Sequence, residues 1–253
     1  MNSDTEEKLA KEHLPGVIRE RLNSPAKQNV ISDAVLGGID GCVTTFAVVS
    51  GVVGAGFSPS VALVLGFANL IADGFSMAIS NYESIKVDEE FIQSVRVSEK
   101  EHIDKIPIGE REEIRQIFKK KGFSGDVLET IVDTISADPD LWVDTMLTEE
   151  HGVQKISRDP VKAAITTFSS FIIVGSVPLV PFMAPGIEKS SQFMFSACLA
   201  AIMFFSVGAM KSRVFSKPVF RSGIGTLLTG GAAATLAFLV GYLLREIFGI
   251  GAV

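Results

Sequence analysis

The sequence predicts an all-α integral membrane protein, in which five transmembrane helices carry a cytoplasmic helical domain inserted between helices 2 and 3. Three observations predict it. Five apolar stretches each reach the roughly 20 residues that a bilayer requires. Between the second and third stretches, residues 83–159 hold 19 acidic and 11 basic residues, with apolar positions at helical spacing. Lys and Arg gather on one side of the resulting topology. The totals agree, since 47% hydrophobic residues and a mean hydropathy of +0.36 suit a membrane protein with a sizeable polar part.

Residues 1–30 are polar and mixed in charge, with no short apolar run after them, so no signal peptide is expected. They form either a weakly amphipathic segment, with Leu9, His13 and Ile18 on the membrane surface, or a solvated tail. The first span runs from Ile31 to Gly54, Gly-Phe-Ser-Pro (56–59) makes a turn, and the second runs from Ser60 to Tyr82. Gly37 and Gly41 let another helix approach closely, either in a homodimer or within one subunit. Nothing between Ser80 and Ile106 stops a helix, so the second span continues into the polar domain of residues 84–159. Pro107, Gly122 and Asp138-Pro139 divide that domain into three or four helices, and Gly152 caps the last. Residues 160–253 return to the membrane as spans Val161–Met183, Ser190–Met210 and Val219–Leu244, with Pro178 and Pro181 kinking or ending the third.

The N-terminal segment, the polar domain and the loop with Lys211, Arg213, Lys217 and Arg221 share one face. The opposite face receives Lys189 and Arg245 alone, so the first face is cytoplasmic. A net charge of −6 argues against nucleic acid as a partner. Cys42 and Cys198 fall inside apolar spans, which excludes a disulfide framework or a cysteine-rich metal site. Gly-Val-Val-Gly-Ala-Gly (51–56) ends a membrane span and cradles no phosphate. No Ser/His/Asp arrangement stands out, and His13, His102 and His151 all lie outside the spans, so an enzyme has little to rest on.

The carboxylates inside the spans carry the functional reading. A charge near a bilayer centre costs about 2.5–3.5 kcal/mol on insertion scales, which marks Asp33, Asp40 and Asp73. Asp40 lies nine residues in from Ile31 and Asp73 nine back from Tyr82, each about 13 Å from the same face. Asn69, Asp73, Met77 and Ser80 share one helical face, as do Asp33 and Asp40. Carboxylates with a thioether suit a borderline divalent transition metal better than Mg²⁺ or Ca²⁺. The bland alternatives are Met77 as core filling and the acids as buried groups bonded to neighbouring helices. In the polar domain, Glu99 and His102 are three apart, Glu110 and Glu113 likewise, and Met146 and Glu150 four apart. Helices folded back at Pro107 can bring them together as carboxylate-bridged metal sites, or leave them as a solvated face.

These residues resemble the vacuolar iron transporter family over roughly residues 30–250. The resemblance is carried by Ser-Asp-Ala-Val-Leu-Gly-Gly-Ile-Asp-Gly (32–41) and Gly-Phe-Ala-Asn-Leu-Ile-Ala-Asp-Gly-Phe-Ser-Met-Ala-Ile-Ser-Asn-Tyr (66–82). It continues in Glu99-x-x-His102-Ile103, Pro107-x-x-Glu110-x-x-Glu113 and Trp142 to Glu150. It implies a homodimer of five-span subunits that exports Fe²⁺, and often Mn²⁺, in exchange for protons, without a prosthetic group. It also implies a cytoplasmic three-helix metal-binding domain, where Zn²⁺ or Co²⁺ are further candidates. Asp33, Asp40 and Met77 match the translocation path, and Glu99, Glu110, Glu113, Met146 and Glu150 match ligands of the domain. Asn69 stands where a glutamate is usual, with Asp73 one turn later in its place. His102 replaces a glutamate and Leu147 a methionine, which implies fewer bound ions or a changed metal preference.

The expectation is therefore a divalent-metal/proton antiporter in a prokaryotic plasma membrane, the short chain lacking sorting extensions, or in a vacuolar membrane. The rival is a membrane-anchored metal-binding or sensing protein that moves nothing. A ferroxidase-like enzyme ranks last, because Glu99-x-x-His102 is unpaired.

Overall fold

The computed structural model describes residues 3–23, 30–153, 158–215 and 218–249. Lys27, Lys217 and the side chain of Arg213 lie outside the described residues. All regular structure within them is helical: α1 (Ser3–Glu12), α2 (Pro15–Asn23), α3 (Val30–Gly54), α4 (Pro59–Lys105), α5 (Pro107–Lys120), α6 (Gly125–Ser136), α7 (Pro139–Glu149), α8 (Pro160–Ser176), α9 (Val180–Met183), α10 (Lys189–Phe215) and α11 (Val219–Phe248). Five segments are long and apolar enough to cross a bilayer: α3, α4, α8 to α9, α10 and α11. Helices α10 and α11 extend beyond the expected Met210 and Leu244, Lys211 and Arg245 being good helix formers and Arg245 falling in the last turn of α11. The chain divides into two compact units, residues 29–85 with 159–253 and residues 1–28 with 86–158.

In the first unit α3 is the central helix, packed against α8, α10 and α11. Its glycines make this possible. A Cβ on Gly37 would lie 2.2 Å from the Thr167 carbonyl oxygen, and one on Gly41 2.4 Å from that of Phe171. On another side of α3, a Cβ on Gly54 would meet the Phe238 oxygen at 2.3 Å. The Gly37 and Gly41 pair thus packs α3 on α8 within one subunit, the second of the two alternatives that its spacing allows. Cys42, Phe46, Val49, Leu70, Phe171 and Phe204 fill the core between the helices. Because these contacts are backbone to backbone, no rotamer change relieves them. Gly41→Ala is expected to cost about 1–3 kcal/mol, whereas Gly231→Ala, whose Cβ meets nothing within 4 Å, is expected to be neutral or mildly stabilising. Thermal unfolding of the two variants in detergent checks this.

The third span breaks where its prolines strip N–H donors. A 3₁₀ turn, Val177–Leu179, joins α8 to α9. Ser196 Oγ donates to the Pro178 carbonyl at 2.6 Å, so a polar atom of this break is satisfied inside the bundle. Helix α8 begins on an Asp-Pro cap, with the Asp159 carboxylate accepting from Val161 N and Lys162 N at 2.9 and 3.1 Å. The membrane part of α4 buries few residues, among them Ala62, Leu70 and Ala78, and leaves Val64, Phe67, Ile71, Phe75 and Ile79 exposed.

In the second unit, α5, α6, α7 and the end of α4 enclose a small core of Ile114, Leu128, Val132, Ile135, Trp142 and Met146, with Ile103 packed against it. Ion pairs stitch its rim: Arg96 to Asp144, Arg115 to Glu129 at 2.8 Å, and Lys121 to Glu149 at 2.5 Å. Asp138 caps α7 by accepting from Asp140 N and Leu141 N. Helices α1 and α2 keep Leu9, Leu14, Val17 and Leu22 exposed, and α2 buries no residue.

Candidate metal sites

In the membrane unit, Asp33 and Asp40 both sit on α3, but in different settings. Asp33 is buried and accepts a hydrogen bond from Asn81 Nδ2 at 3.1 Å. The same amide donates to Thr167 Oγ1 at 2.8 Å, so one side chain of α4 clasps α3 and α8 together. Asn81 was not singled out from the sequence, because its partners lie 48 and 86 residues away. Asp40 is half-buried and Asp73 exposed, and their charges are near enough to act on each other. Asn69 lies one turn before Asp73, and its buried Nδ2 finds no hydrogen-bond partner among the described residues. Met77 is partly buried against the apolar core of the bundle, and Ser80 is exposed.

The second unit gathers a denser cluster. Glu99 on α4 and Glu110 on α5 are buried carboxylates. His102, one turn beyond Glu99, reaches both, with Nδ1 3.9 Å from Glu99 Oε1 and 3.6 Å from Glu110 Oε1. On the other flank His151 Nε2 lies 3.0 Å from the same Glu99 oxygen and 3.7 Å from Glu150 Oε2. Glu113 lies near Glu150, and burial with the Glu150 charge raises its carboxyl. Two triads result, Glu99 with His102 and Glu110, and Glu99 with Glu150 and His151, each with its donor atoms within 4.8 Å of one another. Ligand atoms around a first-row metal at about 2.1 Å stand roughly 3–4 Å apart, so small side-chain adjustments suffice to close either triad. Met146 is fully buried in the apolar core beneath.

His151 is the donor that sequence reasoning missed. It follows the end of α7, where its N–H bonds the Met146 carbonyl and Gly152 turns left-handed at φ +65°. Val153 N then bonds Leu147 O at 2.9 Å, which turns the chain back and sets the imidazole beside Glu99. The clue was Gly152 itself, since a C-terminal glycine cap fixes the direction of the residue before it.

These residues fit a divalent cation. Glu99 Oε2 and Glu110 Oε2 are buried with no hydrogen-bond partner among the described residues, a costly arrangement that a cation relieves. Burial, then the charges of Glu113 and Glu99, push the Glu110 carboxyl up from 4.5 to about 7, against the opposing pull of His102. Burial and Glu150 raise Glu113 likewise. The metal-free fold therefore binds more protons than the unfolded chain between pH 4.5 and about 7. This contribution to stability is present below pH 4.5 and is lost as pH rises through 7. Amide exchange of α5 in the full-length protein, corrected for intrinsic rates, is expected to show protection falling over that window without metal. Saturating Mn²⁺ is expected to restore protection at pH 8, since metal replaces the protons.

The model of the VIT family matches residues 31–242 of the chain. The chain is 30% identical over 228 residues to the vacuolar iron transporter of Toxoplasma gondii, covering 87% of this chain and 76% of that protein. It is also 30% identical over 213 residues to vacuolar iron transporter 1 of rice (Oryza sativa), covering 83% of each. With the vacuolar iron transporter of Plasmodium falciparum it shares 26% identity over 221 residues, 84% of this chain and 81% of that one.

Proposed function

The chain belongs to the VIT family, and from that premise we propose that it moves Fe²⁺, with Mn²⁺ as a second cargo, out of the cytoplasm in exchange for protons. It is a multi-pass membrane protein and a transporter, not an enzyme. The observation that carries the proposal is the pair Asp40 and Asp73, two acids on different membrane-crossing helices whose charges act on each other.

Exchange follows from electrostatics. With a cation between them both carboxylates are ionised. When it leaves, protons take its place on the carboxylates. Metal and protons then compete for one pair of acids, which is sufficient for antiport. Asn69 and Met77 flank this pair on the same helix, and Asp33 stands at the entrance. The exposure of Asp73 and of Phe67, Ile71 and Phe75 beside it favours a homodimer, in which a second copy covers this face of α4.

The domain of α5 to α7 faces the cytoplasm and collects the ion on Glu99, His102, Glu110, Glu113, Glu150 and His151, above the buried Met146. Its two imidazoles suit Zn²⁺ and Co²⁺ as well as Fe²⁺ and Mn²⁺. The lysine and arginine distribution supports the cytoplasmic placement. The membrane is a vacuolar one, in keeping with the names of the relatives, or a prokaryotic plasma membrane.

The test is anaerobic Fe²⁺ flux into proteoliposomes under an imposed pH gradient. Antiport requires metal movement that reverses when the gradient is reversed. A metal-binding protein that transports nothing would load its domain and show no flux.

A further inference from the structure

The membrane unit holds a second polar feature, distant in chemistry from the carboxylates. A cavity of about 670 Å³ opens between α3, α10 and α11, lined by Lys211, Arg221, Ser222, Thr226 and Thr229, with Ile39 and Pro218 as its apolar wall. Among the described residues no carboxylate lines it, and neither Lys211 nor Arg221 has an ion-pair partner. Two uncompensated cations at one concavity favour an anion. The volume lies in the range of small-molecule sites, well above what a bare ion fills.

The hydroxyls narrow the chemistry. Thr226 Oγ1 donates to the Ser222 carbonyl at 3.2 Å and Thr229 Oγ1 to that of Gly225 at 2.9 Å. Their protons are spent, and their oxygens remain as acceptors, which suit a ligand hydroxyl rather than a phosphate oxygen. Cations for a phosphate and acceptors for alcohol groups together describe a polyol phosphate. A Cβ on Gly225 would meet nothing within 4 Å, so a larger side chain there has room to project into the cavity.

We infer that this cavity binds the headgroup of an anionic phospholipid bearing a polyol, of the phosphoglycerol type. A lipid is favoured over a soluble polyol phosphate by position. Lys211 lies in the last turns of α10 and Arg221 in the first turn of α11, where two membrane-crossing helices reach the headgroup layer, and apolar Ile39 continues the wall inward. The inference is independent of the transport mechanism, because none of these residues is among the proposed metal ligands.

Binding is measured on the full-length protein in neutral detergent by titrating dioleoyl phosphatidylglycerol, phosphatidylcholine and glycerol 3-phosphate, with intrinsic fluorescence and thermal shift as readouts. Phosphatidylglycerol is expected to bind the parent, and phosphatidylcholine not to bind. The double variant Lys211→Gln/Arg221→Gln is expected to lose about tenfold or more in affinity. Gly225→Leu, which fills the cavity without changing charge, is expected to lose binding as well, with both variants melting near the parent when lipid is absent. Equal binding of phosphatidylcholine, or unchanged phosphatidylglycerol affinity in the charge variant, would overturn the site. Glycerol 3-phosphate binding as tightly as the lipid, and lost in the same variants, would overturn the lipid as the source. If Gly225→Leu fails to fold, the charge variant alone decides.

Discussion

Asp40→Asn is expected to abolish pH-driven Fe²⁺ and Mn²⁺ flux, a fall of about 100-fold or more. Changing groups one step removed from a metal already costs 10–100-fold, and the proposed mechanism puts Asp40 in direct contact with the ion. The asparagine keeps the volume and removes both the charge proposed to hold the cation and the site proposed to take up the proton. Folding is expected to survive, because Asp40 is only half-buried and its backbone carbonyl, not its carboxylate, accepts from Thr44 at 2.8 Å. The measurement is initial flux in proteoliposomes under an imposed pH gradient, with metal binding at the α5 to α7 domain as the control for an intact protein. Flux equal to the parent's would mean that coupling happens elsewhere.

Glu99→Gln is expected to have the second large effect. Glu99 Oε1 is the atom that both triads share, 3.0 Å from His151 Nε2 and 3.9 Å from His102 Nδ1. One substitution should therefore remove both half-sites and weaken metal binding by about 100-fold or more, whereas His151→Gln should remove one and leave the Glu99, His102 and Glu110 triad. Titration calorimetry of the full-length protein with Mn²⁺ separates the cases by stoichiometry as well as affinity. Glutamine is nearly isosteric with glutamate and cannot bind the cation as strongly, so the buried position keeps its packing. If Glu99→Gln and His151→Gln gave the same partial loss, the shared-ligand geometry would be wrong.

Much of the architecture was legible in the sequence because bilayer thickness acts on run length, and five long apolar runs admit few alternatives. Pro178 announced the break in the third span, since a missing N–H is a local property. Glycines were less legible. Gly37 and Gly41 signalled close approach, but which helix approaches is decided by α8, some 130 residues further along the chain, where the Thr167 and Phe171 carbonyls meet them. Asn81 escaped notice for the same reason, since neither of its partners is local. The acids of the polar domain could be paired by spacing along single helices. His151 could not, because it lies beyond the end of α7 and is aimed by the Gly152 turn rather than by helical periodicity. Met77 and Met146 show the converse, being found by spacing and then seen against apolar cores.

The central claim is that Asp40 and Asp73 hold one cation between them. A double-mutant cycle on metal flux tests it most directly, using Asp40→Asn, Asp73→Asn and both together at a fixed pH gradient. A shared ion predicts that either single change removes nearly all of the effect, so the double variant transports no worse than the singles. Losses that multiply, each acid contributing its own factor, would place the two carboxylates at separate sites and contradict the account.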